Sequence, residues 1–303
     1  MSDEDIKFYI LRLALGHNAE IAISHEEYSA LKKSRAILRE ISSLEEKFFS
    51  VCEHYQEVEE YIFSSTLRHM IFTFERAADI HSIGAGFGRR TASFLSSVRL
   101  YQDTLITHIG EISESTIPKQ AISRRLSKEY DDNLAYRVME ALRNHSQHRA
   151  FPVHSSKYNR KWNENRTEMT FSSMFYFEVS RIEGDKKFKK GVKDELASLD
   201  IAFDLKDGVR RYFASICRIH SAAREEFEKF RAAAVNCVTA AQEKWASAHD
   251  DDFTGVAACA VRNGVLVKGH KVVYIGPEQD EYRVSLEKRT RGILNMDLRT
   301  IAF

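Results

Sequence analysis

The sequence has few of the residues that break helices. Three prolines and thirteen glycines are spread over 303 residues, whereas 29% of the residues are charged. A many-stranded sandwich needs turn residues at short intervals, so this scarcity argues against one and favours long helices. Since 43% of the residues are hydrophobic, the chain can bury a sizeable core. We expect a globular, mainly α protein.

The cysteines are few and lie far apart. There are four of them, and no two form a Cys-x-x-Cys pair. This spacing favours neither a disulfide framework nor a thiolate zinc site, so free thiols are expected. The residues are Cys52, Cys217, Cys237 and Cys259.

Signals for a membrane or for secretion are also missing. No apolar run reaches the roughly 18 residues that a membrane-spanning helix needs. The first residues, Met-Ser-Asp-Glu-Asp, lack the basic and then apolar layout of a secretion signal. We therefore expect a soluble, cytoplasmic protein with no membrane partner.

Positive charge is concentrated in the middle of the chain, although the net charge is only +1. Between Lys119 and Lys193 there are 17 Lys and Arg residues against 9 Asp and Glu residues. Residues 118–130 of this stretch are predicted to form a basic helix. A charge run is most often a solvated face, but this one also fits a polyanion such as RNA.

The first half of the chain shows helical periodicity. Residues 24–64 are predicted to form one or two long amphipathic helices that begin with a capping box of Ser24 and Glu27. The glycine-rich residues 81–88 are interpreted as a flexible turn, since neither a preceding strand nor a following Lys-Ser/Thr supports a nucleotide-binding loop. Residues 89–109 follow as a helix. Its apolar face is formed by Phe94, Val98, Tyr101 and Leu105.

A further helix is predicted around residue 140. Asp131 or Asp132 is expected to cap its start. It is expected to end at Ala150 or Phe151, because the residue before Pro152 is disfavoured in helical conformation. Its core stripe is formed by Leu134, Val138 and Leu142.

The second half has a different pattern. Residues 167–179 are rich in aromatics and are predicted to form a strand or a hairpin. Residues 208–249 are predicted to form one long amphipathic helix, with or without a break. Within residues 256–275, Asn263 and Gly264 separate two β-branched runs, which is typical of a type I′ hairpin.

The candidate site lies in the helix around residue 140. There Arg143, Asn144 and His148 occur in the order R-N-x-x-x-H. A guanidinium binds a phosphate through paired N–H donors, and an imidazole with a pKa of about 6.5 exchanges protons near neutrality. RNA can be cut by these groups without metal when its own 2′-hydroxyl attacks the adjacent phosphate. We take these three residues as candidate catalytic groups.

This motif resembles the R-x4-6-H motif of the HEPN superfamily, helical-bundle proteins of which many are ribonucleases. Arg143, Asn144 and His148 match it position for position, and residues 136–139 and 94–103 also resemble uncharacterised bacterial HEPN-like proteins. The resemblance spans roughly residues 60–152. It implies a metal-independent endoribonuclease that leaves a 2′,3′-cyclic phosphate and has its active site at a homodimer interface. It also implies a toxin or phage-defence effector restrained by an antitoxin or other regulatory protein.

The resemblance also sets the expected domain organisation. Residues 1–152 would form the HEPN-like helical bundle. Residues 153–303 would form a mixed α+β half, with a long helix and a C-terminal hairpin, that serves regulation or binding. RNA is the expected partner, and neither a cofactor nor a metal is expected.

Four neighbouring side chains are candidates for binding the substrate. His145 and Arg149 flank the motif, and Ser97 and Asp103 lie on the preceding helix. On an ideal helix Arg143 and His148 are about 140° apart. They would reach one phosphate only if the last turn unwound or if two copies of the helix faced each other.

Other interpretations of the motif stay open. Arg143 would be a surface residue paired with Glu140 or Gln147, and His148 a helix cap. A non-catalytic HEPN-like module would use the same cleft to bind a nucleotide, RNA or a partner protein. His145, His148 and His154 also have spacing compatible with a metal, but no carboxylate lies inside that cluster.

Overall fold

The computed structural model describes residues 6–13, 19–72, 77–113, 115–146, 151, 153–178, 188–198, 202–249 and 251–299. The helices are α1 (His25–Ile71), α2 (Ala77–Ile112), α3 (Thr116–Asp132), α4 (Leu134–Ser146), α5 (Lys190–Ala197), α6 (Leu205–Ala248) and α7 (Glu278–Thr290). The strands are β1 (Lys7–Arg12), β2 (Glu20–Ile23), β3 (Ser155–Trp162), β4 (Met169–Phe177), β5 (Phe203–Asp204), β6 (Val256–Arg262), β7 (Val265–Leu266) and β8 (Val273–Tyr274). The structure is 68% helical, so the predicted mainly α class is confirmed.

The chain forms two compact units that are interleaved in sequence. Unit 1 contains residues 1–46, 105–119 and 223–291, and unit 2 contains residues 47–104, 120–222 and 292–303. The predicted division at residue 152 does not coincide with these units. The reason is the length of the helices: α1, α2 and α6 have 47, 36 and 44 residues, and each contributes to both units. At about 1.5 Å per residue, α1 alone is about 70 Å long, which is more than the roughly 30 Å diameter of one small domain.

Unit 1 contains an antiparallel sheet in the order β2-β1-β6, and both β7 and β8 pair with β6. The β6–β7 turn has positive φ at Asn263 (50°) and Gly264 (77°), so the predicted type I′ hairpin is confirmed. Strands β1 and β2 were not predicted. The sheet packs on unit 1 residues of α1 and α6 through Ile10, Tyr28, Leu31, Leu38, Val238, Trp245, Val256 and Ile275.

Two predicted helix signals are confirmed. At the start of α1, the Ser24 hydroxyl accepts from the N–H of Glu27 at 3.1 Å, and the Glu27 carboxylate accepts from the N–H of Ser24 at 2.7 Å. This is the capping box. The predicted apolar face of α2 is buried, and all four of its members are fully inaccessible to solvent.

Unit 2 combines parts of the long helices with most of α3, with α4 and α5, and with a three-stranded antiparallel sheet in the order β3-β4-β5. The prediction of a strand at residues 167–179 is confirmed by β4. Phe87 of α2 stacks on Phe175 of β4 with ring centroids 4.2 Å apart. Glu129 of α3 accepts two hydrogen bonds from Arg218 of α6, at 3.0 and 2.8 Å. These contacts join helices and sheet in one core.

The expected flexible turn at residues 81–88 is wrong, because this stretch belongs to α2. Its glycines serve close packing instead. A Cβ at Gly86 would lie 2.0 Å from the hydroxyl oxygen of Tyr61, and one at Gly84 would lie 2.9 Å from that of Ser156. The Tyr61 hydroxyl donates to the carbonyl of Ile83 at 3.1 Å, so a larger residue at position 86 would displace this bond.

The start of α4 also differs from expectation. Asp131 and Asp132 belong to α3, and the side-chain oxygen of Asn133 accepts from the N–H of Tyr136 at 3.4 Å. Asn133 therefore takes the capping position. The predicted basic helix at 118–130 is confirmed within α3, and α6 forms the predicted long helix without a break.

The predicted end of α4 is only partly described. The helix is described as far as Ser146, Ala150 lies outside the described residues, and Phe151 is not helical. In its predicted core stripe, Val138 and Leu142 are fully buried and Leu134 is half-buried.

Two other expectations concern the whole chain. All four cysteines are free, as predicted. Among the helices that the structure describes, none combines the length and the apolar character needed to cross a membrane.

Candidate functional site

Helix α4 carries the described part of the motif in unit 2. Val138 and Leu142 fix one side of the helix in the core, with no exposed surface. Residues at steps of three and four from each other then share the neighbouring face. Tyr136, Glu140 and Arg143 follow this spacing and form a polar network inside the unit.

The Arg143 guanidinium is buried and already engaged. Arg143 is 6% exposed, and its Nη1 lies 2.7 Å from a carboxylate oxygen of Glu140. This contact is an ion pair that lacks hydrogen-bond geometry. The Nε and Nη2 atoms donate to the side-chain oxygen of Asn144 at 3.2 and 2.8 Å. The structure thus shows the alternative pairing with Glu140, in a buried rather than a surface setting.

Two tyrosines and a glutamine extend this network. The Tyr212 hydroxyl of α6 donates to Glu140 in a short hydrogen bond, and Gln102 of α2 donates to the Tyr136 hydroxyl at 2.7 Å. The two tyrosine rings lie 5.0 Å apart. Burial, and then the nearby charge of Glu140, raises the pKa of both tyrosines well above the usual range. Both hydroxyls therefore stay protonated, and that of Tyr212 holds the glutamate in place.

A cavity of about 760 Å³ lies at the described end of α4. Ser146, the last described residue of the helix, lines it together with His81 and Arg89 of α2 and with His154, which precedes β3. His81 and Arg89 are exposed, and Ser155 and Ser156 add two hydroxyls to the wall. Ligand-binding clefts usually enclose about 300–1,000 Å³. This cavity, called the α4 cleft below, therefore has room for part of an RNA strand.

His154 has a fixed orientation in the wall of the α4 cleft. Its Nδ1 accepts from the backbone N–H of Glu178 at 2.9 Å, and its ring stacks on Phe177 with centroids 5.2 Å apart. A nitrogen that accepts a hydrogen bond carries no proton, so the neutral ring has its proton on Nε2.

The structure brings only some of the predicted residues together. Arg143 and Asn144 are in contact, and the buried ring of His145 lies 6.3 Å from that of Phe188. His148 and Arg149 lie outside the described residues. Their place in the site therefore stays a prediction.

The two candidates on α2 do not join the motif. The Ser97 hydroxyl donates to the carbonyl of Phe94 at 2.7 Å, and the exposed Asp103 pairs with Arg99 at 2.5 Å. A helical serine often bonds back to its own backbone, and Asp103 points to the solvated side. Gln102 of α2 does reach α4, through its hydrogen bond to Tyr136. It lies four residues after the buried Val98 and therefore on the same face of α2, and this spacing could have identified it from the sequence.

Metal ligation finds no support in the part of the chain that the structure describes. No group of three His, Cys, Asp or Glu side chains there is placed to hold an ion. One member of the alternative histidine cluster, His148, lies outside the described residues.

Comparison with known proteins gives no relative. No family model, no curated protein and no solved structure matches the chain. The similarity to HEPN proteins thus rests on the sequence motif alone.

Proposed function

We propose that the chain is a metal-independent endoribonuclease whose site is the α4 cleft. The observation that carries this proposal is that Ser146, at the described end of the motif helix, lines one cavity with His81, Arg89 and His154. His148 follows Ser146 by two residues in the sequence. Phosphodiester cleavage requires a general base, a general acid and a cation that stabilises the phosphate charge, and histidine and arginine side chains can supply these roles.

The proposed reaction begins with attack of a ribose 2′-hydroxyl on the adjacent phosphorus. His148 removes the hydroxyl proton, and His81 protonates the 5′-oxygen as the P–O bond breaks, leaving a 2′,3′-cyclic phosphate and a 5′-hydroxyl. Arg89 binds the phosphate oxygens and balances the charge of the transition state. Arg143, which is ion-paired with Glu140 and donates to Asn144, positions the end of α4 rather than binding the phosphate.

A homodimer is part of this proposal. In unit 2, the end of α1 exposes Leu67, Met70, Ile71 and Phe72, which are 38%, 52%, 59% and 59% accessible. Leu67, Met70 and Ile71 share one face of the helix, and contiguous exposed apolar surface of this kind marks protein interfaces. Under two-fold symmetry, the simplest partner for this apolar face is the same face of a second copy of the chain. Light scattering should give twice the chain mass, and Met70→Glu should reduce it to the monomer.

The biological setting follows from the resemblance alone. It implies a cytoplasmic toxin or phage-defence effector whose activity is held back by a regulatory protein. Co-expression with such a protein would then suppress both RNA cleavage and any growth defect.

A second candidate function is favoured by one specific observation. Because the buried Arg143 guanidinium is ion-paired with Glu140 and donates to Asn144, it is not available to bind a phosphate. A non-catalytic module that binds a nucleotide, RNA or a partner protein would not need Arg143 to contact a scissile phosphate. This candidate predicts RNA binding without cleavage.

The test is cleavage of labelled single-stranded RNA by the purified chain in EDTA. The wild type should cut, and His148→Ala and Arg89→Ala should each lower the rate by about 100-fold or more, the usual contribution of a proton-transfer or charge-stabilising group. Arg99→Ala, an exposed arginine on the same helix as Arg89, is the matched control and should cut normally. Circular dichroism should show that all variants are folded.

Two outcomes would contradict the proposal. Intact RNA after incubation with a folded dimer would favour the non-catalytic module. Cleavage that needs added divalent metal would favour a metal-dependent hydrolase.

A further inference from the structure

Unit 1 contains a groove of about 310 Å³ that is independent of the α4 cleft. Its cationic lining comes from Lys32, Arg35 and Arg39, which share one face of α1, and from Lys271 and Arg283. Two acidic residues, Glu46 and Asp280, also line it. The lining therefore carries five cations against two carboxylates. We call this cavity the α1 groove.

The floor of the α1 groove is built by Arg35, which is 8% exposed. Its Nε donates to the carbonyl of Tyr274 at 2.9 Å, its Nη2 donates to that of Gly276 at 3.1 Å, and its Nη1 binds Asp280 at 2.6 Å. These bonds fix residues 274–280 against α1 and neutralise the nearest carboxylate. The groove is thus a preformed site with a defined floor.

Arg283 has a buried donor for which the described residues provide no acceptor. The residue is 3% exposed, and its Nη1 and Nη2 bind Glu287 at 2.6 Å and Asp280 at 3.4 Å. Its Nε has no hydrogen-bond partner among the residues that the structure describes. Buried donors in proteins are normally paired with protein atoms, ordered water or an ion, so this nitrogen marks a point in the groove wall that the described residues leave incomplete.

The rim of the α1 groove combines cations with aromatic rings. Lys32, Arg39 and Lys271 are exposed, and Tyr274 and Tyr282 are 45% and 58% accessible. Exposed aromatic rings provide stacking surfaces for bases, and flanking lysine and arginine side chains bind phosphates. A volume of about 310 Å³ lies at the small end of ligand sites, which start at about 300 Å³.

We propose that the α1 groove binds a nucleotide unit, with the phosphate on the lysine and arginine side chains and the base stacked on an exposed tyrosine. The nucleotide comes either from a free nucleoside monophosphate or from one position of a single-stranded RNA. The groove belongs to unit 1, so its ligand does not depend on what the α4 cleft does.

The test measures binding by the full chain with fluorescence anisotropy. The probe is a fluorescein-labelled single-stranded RNA decamer, read in a His148→Ala background so that cleavage cannot affect the signal. The double variant Arg39→Glu/Lys271→Glu should weaken binding by about tenfold or more and flatten its dependence on salt, by about 0.7 in the log–log slope per lost phosphate contact. Tyr282→Ala should weaken it about fivefold or more through lost stacking.

The matched control is Lys7→Glu, which reverses an exposed lysine of β1 in the same unit that does not line the groove. Competition with adenosine monophosphate separates the two sources. Displacement of the RNA by the mononucleotide identifies a free-nucleotide site, and tight RNA binding without displacement identifies an RNA-strand site. The inference is overturned if neither probe binds, or if the groove variants bind as tightly as Lys7→Glu. These outcomes leave the cleavage result of the α4 cleft unaffected.

Discussion

The ion pair between Glu140 and Arg143 should be worth far more than an ordinary helix-surface pair. Their side chains are 17% and 7% exposed, so both charges have lost most of their water. Removing one partner of a fully buried pair costs about 3–5 kcal/mol, whereas exposed pairs contribute about 0.2–1 kcal/mol. Because Glu140 retains some exposure and a hydrogen bond from Tyr212, we expect a coupling energy of about 1.5–3 kcal/mol.

A double-mutant cycle with Glu140→Gln and Arg143→Gln measures this coupling. The free energy of unfolding of the four proteins would be obtained from urea denaturation followed by far-UV circular dichroism. The control cycle uses Arg99 and Asp103 of α2, which are 47% and 49% exposed, and it should give a coupling of less than about 0.5 kcal/mol. If the Glu140 and Arg143 cycle gives a coupling no larger than this control, then Arg143 is not held by its glutamate, and its assignment as a positioning residue fails.

Two further predictions concern packing and pH. Gly86→Ala should destabilise the protein by about 1–3 kcal/mol, because its new methyl group meets the Tyr61 hydroxyl. The control Gly191→Ala, which has no neighbouring atom within 4 Å, should be neutral or stabilising in the same thermal-unfolding assay. Equal changes in stability for the two variants would contradict the packing argument. Burial raises the pKa of Glu129, but the stronger combined effect of the Arg218 bonds and neighbouring groups lowers it below the usual value. Its stabilisation is therefore complete above the unfolded-state pKa of about 4.3 and is lost as the pH falls through the lower folded-state pKa. Urea midpoints between about pH 2 and pH 7 should fall less steeply toward acid for Glu129→Gln than for the wild type, and parallel profiles would refute the assignment.

Local signals in the sequence predicted the elements whose causes are local. The capping box at Ser24 and Glu27 and the Asn263-Gly264 turn each use contacts between residues a few positions apart, and both are confirmed. The glycine-rich stretch was misread because Gly86 is explained by Tyr61, a residue 25 positions away in the sequence and on another helix.

Strands β1 and β2 were missed for a related reason. β1 pairs with β6, so that Ile10 lies opposite Ala258. This pairing joins residues that are far apart in the sequence, and periodicity within a short window carries no information about it. The interleaved units were missed for the same reason. The sequence indicates how long a helix is, but it does not indicate which of two cores a given part of that helix packs against.

The candidate site was predicted only in part. The sequence identifies Arg143 and Asn144 as candidate catalytic groups, but it predicts neither their contact with each other nor the burial of the arginine. The polar network to which the arginine belongs also includes Tyr212 and Gln102, which come from α6 and α2 and are distant in the sequence. The α4 cleft was also missed, because His81 and Arg89 are unremarkable in sequence and become relevant only beside Ser146.

The chemical identity of the RNA ends tests the central claim most directly. Mass spectrometry of a defined RNA oligonucleotide after incubation with the wild type in EDTA should show 2′,3′-cyclic phosphate and 5′-hydroxyl ends. With His148→Ala these products should form at least about 100-fold more slowly. Intact oligonucleotide with the folded wild type, or 3′-hydroxyl and 5′-phosphate ends formed only with added metal, would contradict the claim that the end of α4 carries a metal-independent ribonuclease site.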